Sequence, residues 1–347
     1  MMPYRELPIP PHFDPERVGE VWRVPYQDRA RAAQSWAKHH QITAAANDTV
    51  RTCLMAIDVQ NTFCIADFEL FVGGRSGRGA IADNTRLCTF IYRNLNSLTE
   101  IDPTMDTHTA MQIFHPVFLV NAAGDHPPPL TAISLEDVEQ GVWKVNPAVA
   151  NSLANGNYMA LQDHLVHYCR KLSDKGKYLL MIWPYHSMLG GLGHCLVSAV
   201  EEALFFHNLA RHSQTGFEIK GGNPLTENYS VLRPEVLDSA DGRSIAQKNT
   251  RFIHKLLEFD VVIIAGQAKS HCVAWTVDDL LTEILAHDPK LARKVYLLED
   301  CTSPVVVPGI VDFTEQADAA FQRFAEAGMH LVQSTTPMAD WPELPVC

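Results

Sequence analysis

Three side chains able to break an amide bond stand far apart in this chain: a cysteine at 272, a carboxylate at 58 and a lysine at 220. Cys272 follows the apolar, β-branched run FDVVIIAG. The segment after it, Val273 to Ala286, has apolar residues at helical spacing. The cysteine therefore stands where a buried strand turns into a helix. Backbone N–H groups at such a turn lack helical partners, and the helix dipole is positive there. Both effects favour the thiolate, the nucleophilic form. A lone cysteine is more often a small buried residue, so the company it keeps matters. Asp58 lies near the end of the apolar stretch CLMAIDVQ, and Lys220 lies in TGFEIKGG. A carboxylate to take the thiol proton and an ammonium to stabilise negative charge complete a set for amide hydrolysis through a thioester. Each also has a structural reading, Asp58 as the cap of a turn and Lys220 as a surface lysine beside Gly221 and Gly222.

A second group is Asp106, His108, His115 and His186. Asp-x-His at a strand end places two donors on the same side of an extended chain. His186 closes WPYH, at the end of another apolar stretch. One carboxylate and two imidazoles, with positions left open, suit a divalent transition metal: zinc first, iron or manganese as alternatives. His115 is either a fourth ligand or a group behind the ligands.

The elements needed to position these residues follow from periodicity. Strands are expected at 53–60, 100–107, 177–184, 215–222, before Cys272, at 292–303 and in MHLVQST. Helices are expected at 79–98, 158–172, 189–211, 244–258, after Cys272 and at 313–327. Strands alternating with helices predict an α/β fold: a doubly wound, mostly parallel, six-stranded sheet with helices on both faces. Residues 1–50, proline-rich with a helix over 28–40, read as an N-terminal arm that wraps the domain or reaches a neighbouring subunit, with a disordered tail as the alternative. Residues 51–347 form the main domain, with an insertion at about 117–176. In open α/β sheets the functional residues gather at the carboxyl ends of strands, so the insertion is expected near the site, as a lid or a subunit contact.

Composition agrees. With 46% hydrophobic and 20% charged residues the chain can bury a large core. A net charge of −12 argues against nucleic acid or an anionic membrane as partner. No apolar run approaches a membrane span, and the polar start is not a signal peptide. Eight scattered cysteines without a CxxC pair read as reduced thiols of a cytoplasmic protein.

Five blocks in order, IDVQNTFC, DTHT with His115, WPYH, KGGNPLTENYS and AGQAKSHCV, resemble the isochorismatase-like cysteine hydrolases, and nicotinamidases most closely. The resemblance implies Asp58 as general base, Lys220 as its charged partner and Cys272 as nucleophile. It implies Asp106, His108 and His186 as metal ligands, with His115 in the neighbouring position. It further implies a cis peptide at Gln267–Ala268 and an oxyanion hole from the N–H groups of Ala268 and Cys272. Phe63, Trp183 and Gln267 are expected at the substrate. The activity implied is a metal-dependent amidase that releases ammonia from nicotinamide or a related small carboxamide, acting as a homo-oligomer. Alternatives are a metal-free hydrolase of another amide, carbamoyl compound or vinyl ether, and a non-catalytic scaffold. The chain departs from the family at Ser270, where an acid is familiar, and at Ser187 and the SMLGGLGHCL turn.

Overall fold

A computed structural model describes residues 4–175 and 178–345. Six strands make one sheet: β1 (Thr52–Ile57), β2 (Glu100–Asp106), β3 (Glu218–Lys220), β4 (Val261–Gly266), β5 (Val295–Leu298) and β6 (His330–Val332). Their order is β6-β5-β4-β1-β2-β3. β1 runs parallel to β2 and β4, and β5 runs parallel to β4 and β6. The longer helices are α1 (Tyr26–His40), α2 (Gly79–Arg93), α3 (Tyr158–Lys175), α4 (Ser198–Arg211), α5 (Thr250–Glu258), α6 (Ala274–His287) and α7 (Thr314–Glu326).

β1 and β4 are buried along their whole length. Such strands need cover on both faces, which is why they read as continuous apolar runs. Leu54, Ala56, Ile263 and Ala265 join one apolar cluster with Leu87 and Ile91 of α2 and Val200 and Ala203 of α4. The alternate residues Cys53, Met55, Val262 and Ile264 are equally buried and point the other way. On the second helical layer α6 packs against both α5 and α7. The expected doubly wound α/β fold is the one observed.

Three expectations fail locally. The apolar run at 177–184 is not a strand of the main sheet. Lys177 lies outside the described residues, and Leu180–Met181 pairs antiparallel with Ala132–Ile133 in a separate two-stranded piece. A short apolar run signals burial without naming its partner. The helix expected from Leu189 begins only at Ser198, because Ser187 and Gly190 take positive φ values of 47° and 84°. The helix expected from Ser244 begins only at Thr250.

The chain forms two compact units, residues 1–105, 195–218 and 250–347, and residues 106–194 and 219–249. In the first, the arm packs on its own chain. α1 lies against α4, and Leu7, Val18, Val24 and Ala33 are buried. Trp22 N donates to Ser198 Oγ at 2.9 Å, and Arg29 pairs with Glu202 at 2.6 Å. In the second, the segment after His115 forms short strand pairs, among them Leu119–Val120 with Lys144–Val145, and the helix α3. No helix among the described residues is long and apolar enough to cross a membrane.

Gly266 ends β4 with φ +116°, and a Cβ there would stand 2.0 Å from Ile57 O. Only glycine lets β4 pass β1 at this point. Gly266→Ala is expected to cost about 3 kcal/mol or more, read as a lower midpoint in urea unfolding. An unchanged midpoint would show that the strands separate without cost.

Candidate active site

In the first unit, Asp58 directly follows β1 and is fully buried. Its backbone is left-handed at φ +47°, a conformation that aspartate tolerates better than most residues. Thr104 of β2 holds it twice. Asp58 N donates to Thr104 Oγ1 at 3.0 Å, and that hydroxyl donates to Asp58 Oδ1 at 2.5 Å. Sequence reasoning missed Thr104, whose only signal is its place two residues before the DTHT block.

Cys272 emerges from the strand beside Asp58's own, since Ile57 of β1 lies opposite Gly266 of β4. Gln267 N donates to Ile57 O at 2.8 Å, and the Gln267–Ala268 peptide is cis, as the resemblance implies. A π-helical turn, Lys269–Val273, then carries Cys272 into α6. Such wide turns recur at functional sites. This one is tied down by His271 N and Val273 N, which donate to Ala268 O at 3.0 and 3.2 Å, and by Lys269 N donating to Ser303 O at 2.8 Å. Ser270 serves the same end, since its hydroxyl accepts from Val305 N at 3.0 Å. Burial pushes the neighbouring His271 imidazole down to about 4, so that ring stays neutral at pH 7.

The Gln267 side chain is committed to the protein. Its Nε2 donates to Asp83 Oδ2 at 2.8 Å and its Oε1 accepts from Ser303 N at 3.3 Å. It ties α2 to the turn after β4. Phe63 is buried in the apolar cluster of this unit.

Cys272 is 8% exposed. Burial raises the thiols of Cys53, Cys64, Cys88, Cys169 and Cys301, that of Cys169 to about 12. Cys195 is exposed, so it competes for alkylation through access alone. In Cys195→Ser protein at pH 7, iodoacetamide is expected to label Cys272 before the five thiols just named, as read by peptide mass spectrometry. Labelling of Cys272 among the slowest would remove it as the nucleophile.

In the second unit, Lys220 is buried, which overturns the surface reading. Its Nζ donates to Asp106 Oδ1 and to Asn228 O, each at 2.9 Å. Thr107 N donates to Lys220 O at 2.9 Å, so the chain after Asp106 runs beside Lys220. Asp106 also binds both histidines through Oδ2, His108 Nε2 at 2.7 Å and His186 Nε2 at 3.4 Å. His186 reaches this place by a route with no sequence signal. His108 N donates to Ser187 O and Leu189 N donates to His108 O, each at 3.0 Å, a short parallel pairing just beyond the histidine.

Burial alone would raise the Asp106 carboxyl, but the charges of His108 and Lys220 hold it well below the ordinary range. Burial opposes the proton on His108, and the Asp106 charge outweighs burial and raises it. Burial lowers His186. His115 lies outside the group of three. Its Nδ1 bonds Ala110 O at 3.2 Å, and its ring centroid is 5.8 Å from that of His108. Burial, with the nearby His186 and His108, pushes it down to about 3, and its buried Nε2 has no partner among the described residues. Trp183 donates its indole N–H to Tyr229 OH at 2.9 Å.

The donor atoms of Asp106, His108 and His186 lie within 4.8 Å of one another, and all three residues are buried. Gly221 makes the space. At φ +86°, a Cβ there would stand 2.7 Å from His108 Cε1 and 3.0 Å from Asp106 Oδ1. One hard oxygen and two imidazole nitrogens, all on buried residues, fit a divalent transition metal. His186 Nδ1 bonds Pro184 O at 2.8 Å and His108 Nδ1 bonds Gly221 O at 3.2 Å. Each carbonyl fixes the tautomer that leaves Nε2 for the ion.

No family model and no curated protein matches this chain. Solved structures do. A nicotinamidase/pyrazinamidase from Acinetobacter baumanii is 18% identical over 83% of this chain and 99% of that one, with a TM-score of 0.48. The yeast nicotinamidase bound to nicotinaldehyde is 16% identical over 81% and 99%, also at 0.48. A pyrazinamidase of Pyrococcus horikoshii in complex with zinc is 16% identical over 82% and 99%, at 0.43.

Proposed function

We propose that this chain is a metal-dependent amidohydrolase that releases ammonia from nicotinamide or a related small carboxamide through a cysteine thioester. The observation that carries the reading is the buried Asp106, His108 and His186 group with Lys220 bonded to its carboxylate. A charge cluster of this density is costly inside a protein unless it serves a purpose.

In this reading the Cys272 sulfur attacks the amide carbon, and Asp58 takes the thiol proton. The N–H groups of Ala268 and Cys272 donate to the carbonyl oxygen as negative charge develops. Asp58 returns the proton to the nitrogen as the carbon–nitrogen bond breaks and ammonia leaves. Asp58 then takes a proton from water, whose oxygen attacks the thioester carbon. The carboxylic acid leaves and the thiol is restored. Lys220 supplies fixed positive charge. Phe63 and Trp183 provide apolar walls, and the amide of Gln267, already committed, positions the turn instead of the substrate. A zinc, iron or manganese ion held by Asp106, His108 and His186 would supply a Lewis-acid contact that orients the substrate.

The test is ammonia release from nicotinamide and a panel of small amides, with elemental analysis of the same protein. Release together with about one transition metal per chain is expected. No release from any amide removes the reading. Release from metal-free protein replaces it with the metal-free hydrolase.

A further inference from the structure

Lysine is almost never buried unless it is paired, yet Lys269, the first residue of the π-helical turn, is only 6% exposed. No step of the amidase reaction calls on its ammonium. Two elements other than its own hold that charge. Nζ donates to Asp318 Oδ1 of α7 at 2.7 Å and lies 3.6 Å from Glu299 Oε1, in the turn Glu299–Cys301 that follows β5. It also stands 4.5 Å from the ring centroid of Phe321, one helical turn along α7 from Asp318. A cation over an aromatic face is attracted to it.

The burial is one-sided. The lysine side chain is 7% exposed, whereas those of Asp318 and Glu299 are 59% and 39% exposed. An ion pair between two exposed side chains stabilises little, partly because both must be ordered to make it. Here one partner is already ordered by its burial. The backbone of the same residue is tied as well. Lys269 N donates to Ser303 O at 2.8 Å, and Ser303 N donates to Gln267 Oε1 at 3.3 Å. The turn that carries Cys272 is thus clamped to the segment after β5 through its backbone and to α7 through one charge.

We propose that Lys269 is a positioning residue: its ammonium, held by Asp318 and Glu299, fixes the orientation of the N–H groups of Ala268 and Cys272, between which it lies in the chain. This rests on the amidase reading, in which those two groups receive the developing oxyanion. Such donors stabilise the transition state more than the bound substrate. A loosened turn therefore lowers kcat and leaves KM in place.

Lys269→Met keeps an apolar stem against Phe321 and removes the charge. Its kcat for ammonia release from the small-amide panel should fall about tenfold or more, with KM within about twofold of the parent. Asp318→Asn should move kcat the same way, and Asp318→Glu, which keeps the charge, should lose less. Hydrogen exchange read by mass spectrometry on peptides across residues 267–273 should be faster in Lys269→Met, with exchange in α4 unchanged. That readout needs no turnover. A parent that hydrolyses no amide removes the amidase reading, while the exchange rates still decide whether this ammonium holds the turn. Should Lys269→Met fail to fold, Asp318→Asn combined with Glu299→Gln removes the same pairs from the surface side and should give the same fall in kcat. Parent-like kcat in a folded protein without the pairs overturns the proposal, as does a raised KM at parent-like kcat or parent-like exchange across the turn.

Discussion

Serine in place of Cys272 is expected to lower ammonia release by about 10⁴-fold or more while the protein stays folded and keeps its metal. An alcohol holds its proton far more tightly than a thiol, so a carboxylate base at Asp58 cannot generate the nucleophile. The substitution changes one atom and little volume, so stability should move by less than about 1.5 kcal/mol. The turn is meanwhile held by backbone bonds to Ala268 and Ser303. Three readouts separate the possible causes. Elemental analysis should match the parent, which rules out a damaged metal centre. The urea midpoint should match, which rules out unfolding. Residual turnover should lack a thioester trapped on acid quench, whereas the parent should show one by intact mass. A serine variant within about tenfold of the parent would end the covalent mechanism.

Asparagine in place of Asp106 should be the most damaging change to the second unit. The carboxylate holds His108, His186 and Lys220 together. Without its charge, Lys220 is a buried cation bonded to the neutral Asn228 carbonyl, and removing one partner of a buried pair costs about 3–5 kcal/mol. One of the three proposed metal donors is weakened as well, so metal affinity should fall by about 100-fold or more. Lys220→Met on the Asp106→Asn background should recover part of the stability and none of the metal, because it removes the stranded charge without restoring the donor. The sign with pH is also set. A carboxyl held below its ordinary 3.8 contributes stability above that value and loses it as pH falls through the lowered one. The variant should therefore lose less on acidification below about pH 4 than the parent does. Parent-like metal content and an unchanged acid limb in Asp106→Asn would refute the assigned role.

Much of this molecule could be read before any coordinates. Continuous apolar runs such as those ending at Ile57 and Gly266 read as strands buried on both faces, and both are. Where such a run gives way to helical spacing, the position of Cys272 follows from the chain itself. Asp-x-His brings two donors together by backbone geometry within a single segment. Other features depended on partners that no local pattern encodes. Leu180 and Met181 look like any buried strand, yet pair with Ala132–Ile133. Lys220 looks like a surface residue beside two glycines, yet meets Asp106 from 114 residues away. Thr104 and Gly221 carry no signal of their own, since a hydroxyl or a missing Cβ acquires meaning only from what stands opposite it. Periodicity along a chain reports how much of each side chain water must not touch. Which atoms replace that water is decided by packing, and only the folded molecule supplies it.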